Sequence, residues 1–279
     1  MRILKYLQLK LKHQTILYHA QSSYYSMIAR LVLEEKQFLW ETRLMNIHRK
    51  MEQFQPWYAK LSPTLTVPTL LMNGVLIPGS DRILHAVAEE LEGPSLIPAD
   101  SEAKARMDAI IAKHYSIEIE DLTFGYLMSV NPVMRIIFTI FLGKTIHRFK
   151  VLSQRYPDLA EVYTHKEQQN LGRLKKFSDV KALFATTFSQ VEAFLDEIEM
   201  SLSQQPDTSY ICGSHYSQAD ILITVFLARL NWLKPTRELI KQRPNLSAYW
   251  VRMQARPSFL SADIWPKPSI VRMIRSALF

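Results

Sequence analysis

Hydroxyls at helix starts, one Val-Pro step and a single thiol are the groups in this sequence best suited to chemistry. Ser22-Ser23-Tyr24-Tyr25-Ser26 runs into an apolar stripe at helical spacing, Tyr24, Met27, Ile28, Leu31 and Val32. A serine at such a start can cap the helix, or it can use its O–H and the positive helix end to hold an anion. Ser80 heads a second stripe, Ile83, Leu84, Val87, Ala88 and Leu91, and has the same two options. Between them stands Val67-Pro68, whose proline has no N–H for a ladder and belongs at a strand start or edge. The sole cysteine, Cys212, excludes a disulfide framework and a Cys-based zinc site, and it reads as buried and inert. The eight histidines form no metal-binding spacing, so no metal is expected.

The elements that must position these groups follow from pattern. Thr15–His19 reads as a short buried strand and Phe38–Leu44 as a second, with the first helix between them. Asn73-Gly74 separates two apolar runs and both residues tolerate positive φ, which predicts a hairpin opening at Pro68. The unit is β-α-β-β-β-α, complete by Leu91, and Glu92–Pro98 is a linker. Everything beyond is helical in pattern. Asp100 or Ser101 caps a helix carrying Ala105, Ile110, Ile111, His114 and Ile117. Phe184, Phe188, Val191, Leu195 and Ile198 mark another. Ser217-Gln218-Ala219-Asp220 is a capping-box variant with Asp in place of Glu. The apolar run Phe124–Gly143 contains Asn131, Pro132 and Arg135, so it reads as buried helix broken at Pro132 rather than a membrane span.

Composition fits a two-domain globular chain: 279 residues, 48% hydrophobic, 22% charged, net charge +8. The excess lies in Arg135–Lys176, with nine Lys and Arg against three acids; it reads first as a solvated helical face, with contact to anionic lipid, nucleic acid or acidic small molecules as the alternative. No nucleic-acid motif accompanies it, and none is expected to bind. The opening residues 1–14 read as a frayed basic extension without a signal-peptide h-region. In the tail, 264–279, the segment Pro268–Phe279 is too short to span a bilayer and is expected to pack on the protein or lie at an interface, and a cytoplasmic location is expected.

An α/β thioredoxin-like N-terminal domain followed by an all-α C-terminal helical domain resembles the glutathione transferase superfamily. The likeness rests on Ser22–Ser26, Val67-Pro68, the Ser217–Asp220 box, and Arg243-Pro244-Asn245-Leu246 leading to Arg256-Pro257-Ser258-Phe259. Leu17-Tyr18-His19, Arg30–Lys36, Pro56-Trp57 and the insertion at about 124–176 most resemble the ganglioside-induced differentiation-associated protein 1 branch. The resemblance implies domains at 15–92 and 99–263, and glutathione conjugation to a hydrophobic or electrophilic small molecule. An interaction or membrane-surface module with little catalysis is the alternative. It further implies that Ser23 addresses the glutathione sulfur, that Val67, just before a cis bond to Pro68, grips the cysteinyl backbone, and that Ser80 receives the γ-glutamyl end. Thr66 lies toward the glycyl carboxylate. Members usually pair, so a homodimer is possible. This chain departs from the family at Gly79, where an acid is common. Asp81 follows immediately and is kept as a candidate glutathione contact, although its side chain is expected to point about 100° further round the helix. A carboxylate introduced at position 79 is therefore expected to tighten glutathione binding, unless a positive φ there strains it.

Overall fold

The computed structural model describes residues 15–206 and 209–268. The basic extension and the tail from 269 onward lie outside the described residues.

Four strands form one mixed sheet in the order β2-β1-β3-β4. β1 (Ile16–His19) runs parallel to β2 (Glu41–Leu44) and antiparallel to β3 (Thr69–Met72), and β3 pairs with β4 (Val75–Pro78) across the Asn73-Gly74 turn. Both turn residues have positive φ. The second strand is shorter than expected, because Phe38–Trp40 lie outside the ladder. β2 is exposed along its whole length, and its charged Glu41 and Arg43 suit an edge. α1 (Tyr24–Glu35) and α3 (Ser80–Glu90) pack together on one face, with Leu17, Ile28, Leu31, Leu70 and Leu84 fully buried between sheet and helices. A short helix not foreseen, α2 (Pro56–Leu61), lies between β2 and β3.

The helical half comprises α4 (Ser101–Ser116), α5 (Ile119–Val130), α6 (Pro132–Arg155), α7 (Ala160–Lys176), α8 (Val180–Ser203), α9 (Gln218–Leu230), α10 (Lys234–Lys241), α11 (Pro244–Gln254) and α12 (Pro257–Ser261). α9 is buried on every side and forms the axis of the domain. Asp220 holds its start by accepting from the Ser217 and Ile211 amides and the Tyr249 hydroxyl, at 2.8, 3.0 and 2.9 Å.

Two arginines weld the halves together. Arg256 makes a two-pronged ion pair with Glu35 of α1, at 2.8 and 2.6 Å. Arg30, buried in α1, donates to the carbonyls of Ala262 and Asp263. Ile264 and Trp265 are buried beyond them. The sequence motifs around Arg30 and Arg256 therefore serve the domain interface, where each guanidinium offers five donors in a rigid fork.

The insertion is a helical hairpin, α6 against α7. The chain breaks at Asn131-Pro132 as expected, with the Asn131 side chain capping α6. The expectation of burial fails for the start of α6: Val133, Ile136, Ile137 and Ile140 are each more than half exposed. At about 100° per residue they share one face, while Leu142, Thr145 and Phe149 supply the packed side. On α4 the buried positions are Ala103, Met107, Ile111 and His114, so Ala105 falls outside the stripe.

Candidate functional site

Each half contributes one wall of a cleft of about 900 Å³. The sheet domain offers the start of α1, the loop before β3 and the start of α3. The helical wall comes from α4, α5 and the inserted hairpin. That hairpin seats on the sheet domain through Phe54, Leu65, Phe149 and Tyr163, with the Tyr163 hydroxyl donating to the Phe54 carbonyl at 3.1 Å.

Ser23 caps α1 and lines the cleft. Its Oγ accepts the Ser26 amide at 3.3 Å, which uses a lone pair and leaves the O–H proton available. The two roles open at the sequence level are compatible in one residue. Ser22 turns away and pairs with His48 at 2.9 Å. Tyr24 is buried against His114, with 2.6 Å between the hydroxyl and Nε2. Tyr25 lines the cleft, and burial raises its pKa, so it is a neutral phenol there.

The Val67–Pro68 bond is cis. Neither the N–H nor the C=O of Val67 has a hydrogen-bond partner among the described residues, so both are open to a ligand at the cleft. Thr66 also lines it, its hydroxyl 2.9 Å from that of Thr64.

At the third corner two expectations are corrected. Ser80 does not cap α3: Gly79 is the N-cap residue, and Ser80 is the first helical residue, buried, 3.1 Å from the Tyr115 hydroxyl. Asp81 does not point away. A Cβ built at Gly79 would lie 2.6 Å from Asp81 Oδ1. The Asp81 carboxylate therefore folds back over Gly79 into the space a side chain there would enter. Gly79 has φ +95°, ψ 139°, a region essentially closed to residues with a Cβ, so position 79 cannot carry an acid without strain.

Sequence periodicity missed the helical wall. Lys166, Asn170 and Arg173 share one face of α7, a polar face turned toward the cleft, where the apolar-stripe criterion finds nothing. Arg173 pairs with Glu120 and Lys176 with Asp121. Lys166 is half-buried and donates to the Thr64 carbonyl at 3.0 Å, and burial lowers its pKa to about 8. Cys212 is buried, 3% exposed, and burial pushes its thiol up to about 12, so it is an unreactive thiol. Among the described residues no group of three or more His, Cys, Asp and Glu side chains could hold a metal.

Residues 22–90 match the model of the glutathione S-transferase N-terminal domain and residues 181–249 that of the C-terminal domain. The chain is 33% identical to the tetrachloro-p-hydroquinone reductive dehalogenase of Sphingobium chlorophenolicum, over 90% of this chain and 96% of that protein. It belongs to the glutathione S-transferase superfamily. Other relatives are the glutathione S-transferase TCHQD of Arabidopsis thaliana, 28% identical over 87% of each chain, and the human ganglioside-induced differentiation-associated protein 1-like 1, 23% identical over 89% and 73%. Among solved structures, a theta class glutathione S-transferase from Xanthomonas axonopodis with glutathione bound superposes with a TM-score of 0.61 at 17% identity, covering 90% of this chain and 98% of that one. The beta-etherase LigF of Sphingobium gives 0.58 at 21%, covering 89% and 98%. In this chain the stretch between the two family models, residues 91–180, builds the cleft's helical wall.

Proposed function

We propose that this protein is a glutathione transferase that joins the glutathione sulfur to a hydrophobic or electrophilic small molecule. The observation that carries this reading is the convergence at one cleft of a spare Ser23 proton, a Val67 backbone without a partner among the described residues, and the Ser80–Asp81 start of α3. A free thiol has a pKa near ~8.5 and is mostly unreactive at neutral pH. The Ser23 O–H and the N-terminus of α1 favour the thiolate. Val67 holds the cysteinyl unit through backbone bonds. Asp81 pairs with the γ-glutamyl ammonium, and Ser80 with the amides at the start of α3 faces its carboxylate. The thiolate attacks the electrophilic carbon, a C–S bond forms, and the leaving group departs with its electron pair. Tyr25, Phe141 and Leu142 offer aromatic and aliphatic surface to the second substrate. A cytoplasmic setting is part of the proposal, since that is where glutathione holds thiols reduced. Retention on immobilised glutathione with elution by free glutathione tests the reading. A folded protein that passes straight through contradicts it.

The dehalogenase relative supports a second reading, reductive removal of a halogen from a chlorinated hydroquinone. Replacing one chlorine by hydrogen consumes two thiols and releases one disulfide and HCl. Cys212 is buried, so both thiols would come from glutathione. Oxidised glutathione formed in step with chloride release supports this reading, and a stable thioether product supports conjugation.

The aliphatic start of α6 favours peripheral membrane contact as an accompanying role. Its exposed face continues into Lys144 and His147, an apolar tip followed by polar side chains suited to an anionic bilayer. Among the described residues no helix is long and apolar enough to cross a membrane. Co-sedimentation with phosphatidylserine vesicles that is lost in Ile137→Glu supports lipid contact. Concentration-dependent dimerisation lost in that variant assigns the face to a second copy instead.

A further inference from the structure

We propose that Lys166, reaching from the inserted helix α7 to the Thr64–Thr66 edge of the cleft, binds the glycyl carboxylate of glutathione. The assignment rests on the glutathione-transferase reading above and adds a ligand contact from the helical insertion.

Among the described residues three cations line the cleft, and their circumstances differ. Arg173 and Lys176 each meet a carboxylate, Glu120 and Asp121. Among the described residues Lys166 meets none, and its one partner there is the Thr64 carbonyl at 3.0 Å. An ammonium has three donors, so two remain for a ligand. A tether to a carbonyl needs only a neutral donor, and a half-buried positive charge without an anion is a standing cost. The depressed pKa, about 8 and caused by desolvation, records the same imbalance. A bound carboxylate would remove it.

The surroundings favour a carboxylate at this edge. The hydroxyls of Ser62, Thr64 and Thr66 form a chain with spacings of 3.0 and 2.9 Å, ending at the cleft beside the lysine. The two ends of the cleft then complement the two ends of the tripeptide. Its γ-glutamyl end is a zwitterion and suits the Asp81 carboxylate together with the amides of α3. Its glycyl end is a lone carboxylate and suits a lone cation. Lengths agree: Thr64 lies three residues from Val67, at most ~11 Å, and a glycyl carboxylate lies ~7 Å from the cysteinyl Cα in an extended chain.

The test compares glutathione with its glycyl monoethyl ester, which removes the charge and adds an ethyl group, by titration calorimetry on wild type, Lys166→Met and Lys166→Arg. Wild type should bind glutathione at least tenfold more tightly than the ester. Lys166→Met should lose that preference while its melting curve stays cooperative, and Lys166→Arg should keep most of it. The KM for the electrophile should not move. Equal preference for glutathione over the ester in wild type and Lys166→Met overturns the assignment. So does a variant whose only change is a raised KM for an anionic electrophile, which would give the lysine to the second substrate. Wild type that binds neither ligand overturns the glutathione-transferase reading itself, a result distinct from both.

Discussion

Gly79→Glu separates an account based on the fold from one based on motif repair. The substitution restores the acid common in the family, and motif logic expects tighter glutathione binding. The structure predicts the opposite. Gly79 sits at φ +95°, ψ 139°, where a side chain costs ~1–3 kcal/mol. Its Cβ would come within 2.6 Å of Asp81 Oδ1, so Asp81 must swing out and a like charge is added beside it. No compensating gain arises, because the Asp81 carboxylate already occupies that corner. Gly79→Glu should therefore lower stability by ~1–3 kcal/mol and leave glutathione affinity unchanged or weaker. Asp81→Asn should exchange a charge-assisted hydrogen bond for a neutral one, a loss of ~1–1.5 kcal/mol and so about five- to tenfold in Kd. Denaturant melts and glutathione calorimetry on both variants supply the readouts. A Gly79→Glu protein as stable as wild type that binds glutathione tenfold more tightly would refute the placement of Asp81.

Three further outcomes follow from other parts of the molecule. Asp220→Ala strips an acceptor from the Ser217 and Ile211 amides and the Tyr249 hydroxyl, and should cost ~3 kcal/mol or more in a urea melt; a loss under ~1 kcal/mol would contradict it. Burial lowers the pKa of His114 to about 3 from 6.5, so the unfolded chain binds the extra proton first and stability falls as pH drops below 6.5, by up to ~1.4 kcal/mol per pH unit. Burial lowers the pKa of His19 to about 3 in the same way, so His114→Gln should remove only one proton's share of that acid dependence, and an unchanged slope would count against it. S-methylglutathione, which has no thiol to ionise, should lose affinity in wild type as pH rises through about 8, where Lys166 gives up its proton; Lys166→Met should lack that component, and identical pH profiles would contradict it.

The order of elements was legible because each rests on local chemistry: Asn73-Gly74 for the hairpin, Pro132 for the helix break, Ser217 and Asp220 for the start of α9. Fold and superfamily followed from that order. The cleft was legible only on its sheet-domain side, where Ser23, Thr66, Val67 and Ser80 lie beside backbone signals. Asp81 was misjudged because ideal helical geometry ignores how a first-turn side chain can fold back over a glycine. Lys166 and Tyr115 were invisible because their roles arise from packing between segments far apart in sequence. The exposed start of α6 was misread for a related reason, since an apolar run records hydrophobicity and not which neighbour covers it.

The central claim is that Ser23 holds glutathione as its thiolate. The direct measurement is the pKa of the bound glutathione thiol, read from thiolate ultraviolet absorbance across pH in wild type and Ser23→Ala. Each unit of lowering represents about 1.4 kcal/mol of thiolate stabilisation. Loss of the cap alone should cost ~1 kcal/mol of folding stability and is read separately by melting. The account predicts a bound thiol that titrates below its free value of ~8.5 in wild type and returns toward it in Ser23→Ala, with conjugation falling in step. The same bound-thiol pKa in both proteins, alongside a lower melting point for the variant, would make Ser23 a helix cap and nothing more.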